Sequence, residues 1–105
     1  MELIKILKKQ FTIFQMDIRN EKTHGRIFAR YDENDVPTKD LYKKVYDGEM
    51  DDMNETPSEM LERIYVKFNV ARPEDFHGHS LSVSDVILLD GQHYYVDSVG
   101  FIKIW

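Results

Sequence analysis

Apolar residues in this 105-residue chain fall into short blocks separated by polar breaks that often carry a glycine. Phe11-Thr12-Ile13-Phe14-Gln15-Met16 is rich in β-forming residues and apolar on both faces, which predicts a buried, central strand. The preceding Leu3 to Leu7 segment suits either an extension of that strand or a short helix. Asn20 to Gly25 is polar and ends in glycine, so it reads as a turn. Arg26-Ile27-Phe28-Ala29-Arg30-Tyr31 alternates weakly and suits a second strand hairpinned to the first. After a polar break from Asp32 to Thr38, Thr38 is placed to cap a short helix over residues 38–46, closed by Gly48. Tyr42, Val45 and Tyr46 would serve a strand equally well.

The clearest helix spans residues 56–69. Thr56 is its N-cap, Pro57 takes the first helical position, and Glu59 stands three residues after the cap, completing a capping box. Met60, Leu61, Ile64, Tyr65 and Phe68 then recur on one face, before the Ala71-Arg72-Pro73 break. The last third reads as sheet. The apolar run Val83 to Leu89 is followed by Asp90-Gly91, a favoured type I′ hairpin turn, and by His93-Tyr94-Tyr95-Val96 as the returning strand. A turn over Asp97 to Gly100 leads to a last strand, Phe101 to Trp105. There Phe101 and Trp105 share one face, and Ile102 and Ile104 the other. The expected fold class is α+β: a small, mostly antiparallel sheet of four to five strands with one clear helix and one shorter one, in a single domain over residues 1–105.

Composition supports a globular domain, with 42% hydrophobic and 31% charged residues. The absence of cysteine excludes a disulfide framework and any thiolate metal site. No apolar stretch approaches the ~20 residues that span a bilayer, and the lysines at the start follow the apolar residues rather than precede them, unlike a signal sequence. A cytoplasmic protein without membrane contact is the expectation. The net charge of −5 is localised: seven acids lie between Asp47 and Glu62 with no Lys or Arg among them. Asp47, Glu49, Asp51, Asp52 and Glu55 form a candidate acidic patch for a basic partner surface. The plainer alternative is a solvated loop and helix start.

The densest polar stretch is Phe76-His77-Gly78-His79-Ser80-Leu81-Ser82-Val83-Ser84-Asp85. His77-x-His79 on a strand would point both imidazoles one way, with Asp85, His93 or Asp97 as further metal ligands, but no recognised zinc spacing is present. Serine, histidine and aspartate together invite a hydrolase reading. No Gly-x-Ser-x-Gly elbow or glycine-rich oxyanion loop accompanies them, so a serine-capped loop entering a strand fits better. The aromatic residues could stack bases, with the amino-terminal lysines, Arg26 and Arg30 as contacts, yet Lys and Arg are scattered in an acidic chain. No catalytic residue, metal or cofactor is expected.

Three segments together resemble the YodL-like domain family of Gram-positive bacteria and their mobile elements. They are Phe11-Thr12-Ile13-Phe14-Gln15, then Ile64-Tyr65-x-x-Phe68-Asn69 with Pro73-x-Asp75-Phe76, then Gly78-His79-Ser80-Leu81-Ser82-Val83-Ser84-Asp85-Val86 leading to Tyr95-Val96-Asp97-Ser98-x-Gly100-Phe101. The resemblance marks Gly78, His79, Ser80, Ser82, Ser84, Asp85, Tyr95, Asp97 and Ser98 as signature residues, serving either a contact surface or a structural turn. It implies no enzymatic activity. It implies a protein partner, either a type II CRISPR effector nuclease bound by an anti-CRISPR member or the actin-like cytoskeleton that directs cell elongation. A small nucleic-acid-binding module is the remaining alternative.

Overall fold

The structure, a computed structural model, describes residues 7–105. The sheet is built on β1 (Leu7–Met16), which pairs antiparallel on one side with β2 (Tyr42–Asp52) and on the other with β3 (Val86–Leu89). β4 (Gln92–Val96) and β5 (Phe101–Ile104) continue the sheet by antiparallel hairpins, giving the order β2-β1-β3-β4-β5. Among the described residues, five antiparallel strands and one α-helix make the expected α+β fold. The choice of element for Leu3 to Ile6 lies outside the described residues, and Leu7 belongs to β1.

β1 is apolar on both faces because both are covered. On one face Phe11 and Ile13, with Ile87, Leu89, Tyr94 and Val96, pack against α1 (Pro57–Val70) through Met60, Leu61, Ile64 and Phe68. Phe11, Tyr46, Phe68 and Phe76 form an aromatic cluster there, with ring centroids 5.0–6.2 Å apart. On the other face Phe14, Val86, Tyr95 and Ile104 meet Tyr31 and Val36 from the connection between β1 and β2. Phe101 joins the helix side and Ile102 and Ile104 the other, as their alternation predicts. Trp105 does not share the face of Phe101 as expected: β5 ends at Ile104, Trp105 turns to φ 54°, and its ring packs against Tyr42 and His93 and donates to Pro37 O on the side of Ile102 and Ile104.

The helix starts as its cap dictates. Thr56 Oγ1 accepts the Glu59 N–H at 3.2 Å, and Glu59 Oε1 accepts the Thr56 N–H at 3.1 Å. The Asp90-Gly91 turn has φ of 50° and 82°, the two positive values a type I′ hairpin needs.

Two further expectations are corrected. The shorter helix over 38–46 is absent: Lys39–Leu41 form a 3-10 turn, and Tyr42 onward is strand, running through Gly48 to Asp52. Tyr42, Val45 and Tyr46 follow their β preference because one side of β1 is open to pair with them. Gly48 does not end the segment, because the Phe11 ring lies over it: a Cβ there would sit 2.4 Å from Phe11 Cζ. Residues 26–31 are not a strand hairpinned to β1, since β2 and β3 occupy both sides of β1. Residues 26–28 form turns and 29–31 an irregular segment, with Phe28 in the left-handed region at φ 68°, outside strand geometry.

Candidate functional site

The signature begins on Gln15, the one polar side chain of β1 that is 1% exposed. Its Nε2 donates both hydrogens, to the His79 carbonyl at 2.9 Å and to Asp85 Oδ2 at 3.0 Å. Gly78 is required beside it: a Cβ at that position would lie 2.4 Å from Gln15 Oε1. Asp85, also buried, accepts a second bond on Oδ2 from the Ser82 N–H at 2.8 Å. Burial pushes its carboxyl up to about 8, against the opposing pull of the Ser82 amide and Gln15.

His79 stands at the rim of this network with its ring partly in solvent. Its Nδ1 donates to the Ser80 carbonyl at 2.7 Å, which places the proton on Nδ1 and leaves Nε2 facing Asp85 Oδ1 at 3.8 Å. Ser82 Oγ donates to the Ser80 carbonyl at 2.7 Å. The Ser82 and Ser84 hydroxyls both bond to backbone groups, so Ser82, Ser84, His79 and Asp85 brace a turn. The Ser82–Asp85 turn closes with the Asp85 N–H donating to Ser82 O at 3.1 Å, and Ser84 within it has φ 83°.

Ser84 uses all three of its polar groups. Its N–H donates to Val96 O at 2.9 Å, its carbonyl accepts from Tyr42 Oη at 2.7 Å, and its Oγ accepts from the Phe28 N–H at 2.9 Å. Tyr95 Oη donates to the Ala29 carbonyl, and Asp97 Oδ1 accepts from the Tyr31 N–H at 3.0 Å and from the Ser98 N–H at 2.9 Å. Ser84, Tyr95 and Asp97 thus hold Phe28, Ala29 and Tyr31 in succession. Burial raises the Tyr95 hydroxyl to about 12, so it remains a donor at neutral pH. Ser98 lies exposed in the β4–β5 turn. The helix is tied to the same unit by Asn69, whose Nδ2 donates to Leu81 O at 3.0 Å.

The acidic candidates lie elsewhere. Asp47, Glu49, Asp51 and Asp52 are on β2, an edge strand rather than the solvated loop that was the plainer alternative. Their charges are met across the β1–β2 ladder. Lys8 pairs with Asp51 and Lys9 lies 3.9 Å from Asp52; Thr12 and Lys44 bind Asp47, and Gln10 binds Glu49. Glu55 is held by Arg63 at the helix start. Among the described residues no group of three or more His, Asp or Glu side chains is arranged to hold a metal ion, and none of their helices is long and apolar enough to cross a membrane. Sequence reasoning overlooked Gln15 as the hub, although a lone polar residue sharing a face with Phe11 and Ile13 on a central strand signals a buried bonding role.

The family model described as a YodL-like domain matches residues 10–105. No curated protein and no solved structure matches the chain.

Proposed function

We propose, of a chain that belongs to the YodL-like domain family, that it is a non-enzymatic protein-binding module that docks through the outer edge of β2. The observation that carries this reading is the edge itself. β2 is eleven residues long and, among the described residues, pairs only with β1, so its other side offers N–H and C=O groups to an added strand. The polar signature supports the same reading, because Ser84, Tyr95 and Asp97 are engaged in bracing the Phe28–Tyr31 segment, and His79, Ser82 and Asp85 in bonds within their own turn and to Gln15.

The far half of that edge carries Asp47, Glu49, Asp51 and Asp52, which suits a basic partner segment. In its finer form, the protein is an anti-defence inhibitor encoded by a mobile element. It would occupy the positively charged channel in which a type II CRISPR effector nuclease holds nucleic acid. Because each acid already has a partner on its own chain, docking exchanges internal pairs for intermolecular ones, and affinity falls as salt rises.

The test incubates the purified protein with the nuclease before guide RNA is added and follows guide loading and target cleavage. Inhibition should weaken in a variant carrying both Asp51→Lys and Asp52→Lys. Normal loading and cleavage under a large molar excess of inhibitor overturns the nuclease reading.

A further inference from the structure

We propose that a second surface, the groove between the Lys43 end of β2 and the His77–His79 segment, docks an acidic peptide segment that carries a bulky apolar side chain. This rests on the protein-binding reading and names the chemistry of a partner contact away from the acidic half of β2. The groove has a volume of about 360 Å³. Met16, Ile18 and Val45 give it an apolar wall, Lys43 gives it a positive charge, and Lys44, which also pairs with Asp47, lies beside it. Among the described residues no carboxylate lines it, although the chain as a whole carries a net charge of −5. The acids beside it are engaged: Asp17 is held by Arg19, and Asp47 by Lys44 and Thr12. An acidic segment therefore meets complementary charge here and repulsion along the acidic half of β2.

The apolar requirement comes from the rim. Ile18 is 65% exposed and Phe28 62% exposed, while the His79 ring lines the groove and meets Phe28 edge-to-face at 5.9 Å. Phe28 is no loose loop residue. Its backbone sits at φ 68°, a conformation that disfavours a bulky side chain, and the bond from its N–H to Ser84 Oγ holds it there. Tyr95 and Asp97 fix the next residues of the segment. The fold thus spends three buried or half-buried side chains on presenting an exposed aromatic ring rigidly, which lowers the entropy lost on binding. Aromatic side chains, Phe among them, are enriched in the cores of protein interfaces.

A random 12-residue peptide library displayed on phage, panned against the immobilised full chain, tests the proposal. Enriched peptides should combine Asp or Glu with Leu, Phe or Trp. Their affinity should fall at least tenfold with Lys43→Glu and with Phe28→Asn, a residue that tolerates the left-handed backbone, both variants being shown folded by thermal melting. Asp51→Lys should leave that affinity unchanged. Failure to enrich any sequence, enrichment of basic or uncharged peptides, or binding that survives both Lys43→Glu and Phe28→Asn overturns the proposal. Loss of binding with Asp51→Lys alone overturns it too, while supporting the β2 edge as the docking surface.

Discussion

Ser84 Oγ accepts the Phe28 N–H at 2.9 Å although 56 residues separate the two, and both residues have positive φ. Two left-handed residues thus stabilise each other's placement, one buried and one exposed.

This pairing separates backbone strain from hydrogen bonding at Ser84. Ser84→Ala keeps the left-handed conformation and leaves the Phe28 N–H without its acceptor, so it should destabilise the fold by about 1–3 kcal/mol. Ser84→Gly loses the same bond but removes the Cβ that disfavours φ 83°. Urea denaturation should place Ser84→Gly between wild type and Ser84→Ala. A glycine variant less stable than the alanine one would contradict the strain.

Gly48 and Phe11 offer a second test. A Cβ at residue 48 would sit 2.4 Å from Phe11 Cζ and 2.8 Å from Tyr46 Cε2, in an aromatic cluster with little room to yield. Gly48→Ala should cost about 1–3 kcal/mol as overpacking. In a Phe11→Leu background the added cost should shrink, a coupling read from a double-mutant cycle. Additive effects would show that the ring does not set the requirement for glycine.

The buried carboxyl of Asp85 predicts how stability follows pH. Its pKa rises on folding from 3.8 to about 8, so the folded state binds its proton more tightly than the unfolded state does. The stabilisation is complete below about pH 4 and is lost as pH rises towards 8. His93, whose burial lowers its pKa, acts in the opposite direction around its ordinary range, so the comparison must be made against a variant. In Asp85→Asn the side-chain oxygen still accepts from Ser82 and Gln15, and its amide turns towards His79 Nε2. Thermal melts between pH 5 and 8 should show a smaller fall in midpoint for Asp85→Asn than for wild type. Equal slopes would place the titration elsewhere.

The helix start gives a local control. Thr56→Ala removes the acceptor for the Glu59 N–H and should cost about 1 kcal/mol, while Thr56→Ser should retain nearly all of the stability. Chemical denaturation of the two variants measures the difference. A loss in Thr56→Ser equal to that in Thr56→Ala would mean that the hydroxyl is not what matters.

How much of this could be read in the chain depends on how local each cause is. The capping box at Thr56, the stripe through Met60 and Phe68 and the Asp90-Gly91 turn are written in neighbouring residues, and the structure reproduces them. Tyr42, Val45 and Tyr46 were ambiguous because helix and strand suit them alike, and the open side of β1 decided for strand. Residues 26–31 went astray for the opposite reason. Their alternation resembles a strand, but their conformation is imposed by Ser84, Tyr95 and Asp97 from the other end of the chain. The signature was legible as a motif, and its internal role was not, because hydrogen-bond partners as distant as Gln15 and Asp85 meet only once the sheet forms.

By itself, then, the sequence determined the α+β class, the helix with its cap, the last hairpins and membership of the YodL-like family, since each rests on short-range preference or on a motif read along the chain. Only the tertiary structure decided that the acids from Asp47 to Asp52 lie along an edge strand facing Thr12, Gln10, Lys9 and Lys8 of β1, and that Phe28 is held out beside His79. Charge pairing and side-chain exposure depend on which distant segments become neighbours. That is set by strand order and register, which local residue preferences do not encode.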